Sequence, residues 1–156
     1  MRITQWGEYG VHFSAQIANK EKAGTPIVGA AEIAQEQGVD VQYAQQILQR
    51  LRRGGIIDSV RGPQGGYKLT RPAGEITLLD ILVAAEGDTF EIICETKPLG
   101  QDRCSAGATC GLRPIWYDLK EHVNGFLRSY TLEQLAATSG SIPLDSPIQI
   151  GGPVHG

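Results

Sequence analysis

Between residues 28 and 72 two runs of helical period give way to two alternating ones, and this constrains the fold more than any other feature of the chain. "VGAAEIAQEQG" reads as a short helix with Ala30, Ile33 and Ala34 inward and Gly38 as its stop. Asp40 then stands as N-cap of "VQYAQQILQRLRRGG", where Val41, Ala44, Ile47, Leu48 and Leu51 share one face. "IIDSV" and "YKLTRP" follow as two β-prone runs around the turn "RGPQGG". Two helices joined by a tight turn, followed at once by a hairpin, leave few ways to bury both apolar faces.

That order is a winged helix-turn-helix. The fold class expected is mainly α with one small β-hairpin, plus a long C-terminal helix. A first helix is expected over residues 3–19, with Ile3, Trp6, Tyr9/Gly10, Phe13 and Ile17 at helical spacing. Thr77 is placed to cap "LLDILVAAEG", with Asp80 at the acidic third position. Leu112, Ile115, Trp116, Leu119, Val123, Phe126 and Leu127 trace one long stripe, which packs on this chain's own core or on a second copy. Thr131 and Gln134 form a capping box for a last short helix. The division expected is a winged unit over 1–75, a cysteine loop and dimerisation helix over 76–135, and a flexible tail over 136–156.

Charge is distributed unevenly. Residues 1–75 hold nine Lys/Arg against seven Asp/Glu, whereas 76–156 hold five against ten. Between Arg50 and Arg71 six cations face a single Asp58. A basic stretch in an acidic chain marks contact with a polyanion, and double-stranded DNA is the partner expected of this architecture. The outward face of the third helix offers Gln42, Tyr43, Gln45, Gln46 and Gln49. Glutamine is suited to adenine edges in the major groove. Arg50, Arg52 and Arg53 suit phosphates. Arg61 at the wing tip is placed for a narrow minor groove, and Gly62, Gly65 and Gly66 permit close backbone approach.

All three cysteines fall in one segment, Cys94, Cys104 and Cys110. Glu95 to Thr109, rich in Gly, Pro and charge, lacks periodicity and reads as a loop. An odd thiol count, no signal-peptide core at the N-terminus and no apolar run near ~20 residues point to a cytoplasmic chain without a disulfide framework. Three thiolates can converge on a metal and leave one position open. Glu8 and His12, four apart on the first helix, share a face and are candidates to fill it. No Cys–His pair supports a nucleophile. The glycines of the wing are not a nucleotide loop, because no helix follows them. The chain is not expected to be an enzyme.

The opening "MRIT…YGVH", the run "YAQQILQRLRRGGII…SVRGPQGGYKL", then "RPAGEITLLDIL", the cysteine loop and "FLRSYTLEQLA" resemble the iron–sulfur winged-helix regulators typified by IscR, NsrR and RirA. The resemblance spans about residues 1–135. It implies a homodimeric transcription regulator, a repressor by expectation, with crossing long helices and a cluster near their junction with the DNA-binding unit. The signal implied is redox, iron or nitric oxide status. Two departures stand out. The first cysteine gap is nine residues instead of the usual five, and Arg113 occupies the position where IscR-like members place a histidine ligand. Other members use an acidic residue matching Glu8, given by the partner subunit, and some a histidine matching His12. The resemblance therefore implies an intersubunit ligand set. Cys94, Cys104, Cys110 and Glu8 would suit a four-iron cluster. Two cysteines with Glu8 and His12 would suit a two-iron cluster, which is preferred, with Cys94 and Cys110 as thiolates and Cys104 to spare. The alternative is a cluster-free or zinc-binding regulator that responds through thiols or a protein partner.

Overall fold

Helix α1 (Gln5–Lys22) starts where the Thr4 side chain accepts a hydrogen bond from the backbone N–H of Trp6, at 3.2 Å. The computed structural model describes residues 2–88, 90–92, 95, 99–100, 104 and 110–138. The tail expected over 136–156 begins later than expected, since residues 136–138 complete the last helix with Ala136 buried, and 139–156 lie outside the described residues. After α1 come α2 (Ala30–Gln37), α3 (Val41–Arg53), β1 (Ile57–Val60), β2 (Gly66–Leu69), a 3-10 turn (Ala73–Glu75) and α4 (Leu78–Glu86). The described residues end with α5 (Leu112–Arg128) and α6 (Leu132–Thr138). The fold is a mainly helical winged helix-turn-helix with a long helix after it.

The local signals decide the boundaries. Asp40 Oδ1 accepts from the backbone N–H groups of Gln42 and Tyr43, so α3 begins where a carboxylate can satisfy its first free donors. Thr77 and Asp80 form a reciprocal capping box at α4. Thr131 and Gln134 do the same at α6. Two expectations shift. α1 runs from Gln5 to Lys22, not 3–19, so Ile3 precedes it and is half exposed. Val41 is 40% exposed, not inward, because the first position of α3 lies beyond the edge of the core.

The core is filled by Phe13 and Ile17 of α1, Ile33 of α2, Ile47, Leu48 and Leu51 of α3, and Ile81 of α4. Ile56, Ile57 and Ile76 close it from the hairpin side, and Leu132 and Ala136 of α6 cover its end. A smaller cluster, Leu79, Leu82 and Leu127, joins α4 to the end of α5.

The wing pairs Ile57 with Leu69, Asp58 with Lys68, Ser59 with Tyr67 and Val60 with Gly66, antiparallel. Val28, expected to open the second helix, instead exchanges backbone hydrogen bonds with Tyr67 at 2.9 and 2.8 Å. This fixes the wing to the start of α2. A side chain at Gly66 would collide with the Val28 carbonyl, so only glycine fits the crossing.

Candidate nucleic-acid interface and cysteine segment

The buried face of α3 is Ala44, Ile47, Leu48 and Leu51, and this turns Gln42, Gln45, Gln46 and Gln49 to solvent. Arg52 and Arg53 extend that exposed face at the helix end. Arg61 and Gly62 are exposed at the wing tip, where Gly62 takes φ 115°, a turn geometry that glycine adopts without strain. Four amide side chains on one helix face and a cationic tip beside it form a surface suited to two adjacent grooves of a duplex.

Two of the residues expected on that surface also work inside the protomer. Tyr43 is half-buried, with its ring 5.7 Å from Trp6 and edge-on to Tyr9 at 5.8 Å. The Arg50 guanidinium lies 4.2 Å over the Trp6 ring and donates to the Ala85 carbonyl of α4 at 3.0 Å. The signal was present: Tyr43, Ile47 and Arg50 are spaced four and three apart, on one stripe with a core residue.

Glu8 and His12 meet as their spacing predicts. Glu8 Oε1 lies 3.2 Å from His12 Nε2, and both side chains are at least half exposed. Glu86 was missed by the sequence reading. Its Oε1 accepts from the backbone N–H of Thr4 (2.6 Å), the Thr4 hydroxyl (3.0 Å) and the backbone N–H of Gly7 (3.0 Å). The end of α4 therefore anchors the start of α1, one residue before Glu8. A glutamate in the last turn of a helix opposes the helix dipole, and that mismatch was the available signal.

Cys104 is half-buried and its backbone N–H donates to the Gly100 carbonyl at 3.0 Å. Cys110 is exposed just before α5. Cys94 lies outside the described residues. The first end of the cysteine segment is tied to α5, and Cys110 at the other end runs directly into that helix. Lys120 bonds Asp88 at 3.1 Å, which holds its ammonium above the ordinary lysine value, and the Tyr117 hydroxyl donates to Glu95 at 2.6 Å. Among the described residues no three His, Cys, Asp or Glu side chains converge at one metal-sized point within a single chain. The donor set still has the right chemistry for iron and sulfide: soft thiolates, a carboxylate and an imidazole already paired on an open face.

The family model "Iron-dependent Transcriptional regulator", named Rrf2, matches residues 3–138. The chain belongs to the Rrf2 family. The HTH-type transcriptional regulator IscR of Photorhabdus laumondii is 36% identical over 135 residues, covering 86% of this chain and 79% of that protein. CymR (YrzC), the global cysteine regulator of B. subtilis, has a TM-score of 0.67 at 28% identity, covering 88% of this chain and 97% of its own. IscR of T. potens has a TM-score of 0.65 at 25% identity and covers 94% of each chain. An oxidized form of CymR from Staphylococcus aureus has a TM-score of 0.61 at 32% identity, covering 87% of this chain and 96% of its own. This Rrf2 protein is therefore a DNA-binding transcriptional regulator and not an enzyme. Among the described residues no helix is long and apolar enough to cross a membrane.

Proposed function

We propose that this Rrf2 protein works as a cytoplasmic homodimer that reads redox, iron or nitric oxide status through an iron–sulfur cluster and alters its hold on an operator accordingly. The observation that carries the reading is the Glu8–His12 pair, two ligand-type side chains held 3.2 Å apart on an open face of α1. Residues 1–75 form the DNA-binding unit in this reading, and 76–135 the sensing and dimerisation part. Glu8 and His12 of one protomer, with Cys94 and Cys110 of its mate, would hold a two-iron cluster; Cys104 would join Cys94, Cys110 and Glu8 in a four-iron one. When bound, the cluster supplies one-electron chemistry and reactivity towards nitric oxide at a joint between subunits.

The chain's own residues then carry the response. Glu86 clamps the start of α1, so a pull on Glu8 acts against a fixed point. Trp6, two residues earlier, lies under Arg50 of the recognition helix. Displacing α1 therefore shifts α3 and with it the separation of the two recognition helices in a dimer, while the half-site spacing of DNA is fixed. Gln42, Gln46 and Gln49 read bases in this scheme, Arg53 a phosphate and Arg61 the minor groove, with Gly62 letting the wing tip approach.

A second reading rests on the half-buried Cys104 and exposed Cys110 and on the likeness to an oxidized CymR. In it, thiol chemistry or a bound zinc replaces the cluster. One experiment separates the readings. Protein purified without oxygen is assayed for iron, sulfide and zinc, and its operator affinity is measured with and without metal at one salt concentration. The expected result is iron with sulfide and an affinity change of about tenfold, a coupling of ~1.4 kcal/mol. Equal affinities in all states remove cluster sensing. A thiol-dependent change without iron selects the second reading.

A further inference from the structure

Off the C-terminal end of α3 the surface folds inward into a cavity of about 740 Å³. Its wall carries Arg50 and Arg53 from α3, Arg71 from the segment after β2, and Arg128 from the end of α5. Asp80 is the carboxylate among its lining residues. Asp80 Oδ2 is already shared between Arg71, at 3.2 Å, and the backbone N–H of Thr77, at 2.9 Å. Four arginines against one aspartate leave three surplus positive charges on the wall, in a chain whose net charge is −3.

The helix end explains only part of this. Cations in the last turn of α3 offset the negative end of its dipole, which accounts for Arg50 and Arg53. Arg71 and Arg128 come from other elements and add like charge to the same space. Arg50 is fixed by Trp6 and the Ala85 carbonyl. Arg71 is fixed by Asp80 and by the Gly55 and Glu75 carbonyls. Arg128 reaches Glu121 at 3.7 Å with both side chains more than half exposed, which is a weak pair. The Arg53 guanidinium has no hydrogen bond or ion pair among the described residues. A guanidinium has five N–H donors, and Arg50 commits one of its own. Leu79, Val83 and Ala84 add an apolar strip to the wall. Two guanidinium groups held in place and two free to turn inward, beside apolar surface, suit a phosphate joined to an organic body, and the volume is that of a small-molecule site.

We propose that this cavity binds a small molecule bearing a dianionic phosphate group, which thereby acts on the recognition helix through Arg50 and Arg53. DNA phosphate is the rival occupant. Recognition helices present their N-terminal residues to the groove. The thirteen residues of α3 rise about 20 Å, so the cavity lies beyond Gln49, the last glutamine read as a base contact, and Arg53 is the residue both occupants would claim. The inference is independent of any cluster.

The test uses the full-length protein, with inorganic phosphate and then pyrophosphate titrated calorimetrically against chloride at matched ionic strength. Saturable binding at one site per protomer is expected. Arg128→Gln should weaken it about tenfold, the size of one lost charge-assisted contact. Val83→Trp, at a position 41% exposed, should abolish it by filling the space while every charge remains. Circular dichroism checks that both variants fold, and the surface change Arg128→Gln decides alone if Val83→Trp does not. No saturable binding, or binding unchanged in the folded variants, overturns the proposal. So does unchanged phosphate binding together with a lower salt dependence of DNA affinity in Arg128→Gln, which would assign this arginine to the operator backbone.

Discussion

Helices α3 and α5 are both amphipathic, yet they end differently. Every apolar residue on the inner face of α3 from Ala44 onward is fully buried. On α5, Leu112, Ile115, Trp116, Leu119 and Phe126 are 38–56% exposed among the described residues, where the stripe joins a buried cluster near Val123 and Leu127. The two stripes read alike in sequence, but among the described residues one is covered within the protomer and most of the other is not. A continuous apolar strip of this kind on an otherwise ordinary surface marks an interaction face, and a second α5 is the occupant implied by the dimer reading.

The comparison can be broken by mutation. Leu48→Ala should cost about 3 kcal/mol in chemical denaturation, since the site is wholly enclosed and cannot collapse without a cavity. Leu119→Lys should weaken self-association by ~2 kcal/mol, seen by sedimentation, as a charge enters an apolar contact. Its effect on protomer unfolding should stay within about 0.5 kcal/mol, as for surface changes. If Leu119→Lys instead unfolds the protomer as Leu48→Ala does, the distinction between the helices is lost. On the outer face, Arg61→Ala should lower cognate operator affinity by roughly 1–3 kcal/mol, measured by fluorescence anisotropy. An equal loss on random duplex would make Arg61 a phosphate contact. Thr77→Ala should cost about 1 kcal/mol of thermal stability through the lost cap, without changing association.

Features set by neighbouring residues were legible in the sequence. Asp40, Thr77 with Asp80, and Thr131 with Gln134 cap their helices as read, because capping needs only a side chain within three residues of a free N–H. The wing was legible from its alternation and turn residues. What depended on distant elements was not. Val28 leaves the helical pattern to pair with Tyr67, Val41 stays in water, and Tyr43 and Arg50 turn towards Trp6. The candidate site divides the same way. Glu8 and His12 converge because one helix carries both, whereas the thiols and their mates are separated by most of the chain. In the proposed dimer their meeting depends on a second subunit, which local spacing does not encode.

The bridge between Val28 and Tyr67 has a consequence for operator choice. With the hairpin stitched to the entrance of α2, the two DNA-reading prongs of a protomer form a stiff fork whose tines cannot splay separately. In the proposed dimer, tolerance for operators of unequal length then resides in how the two forks are hinged to each other, and not in bending of either tip.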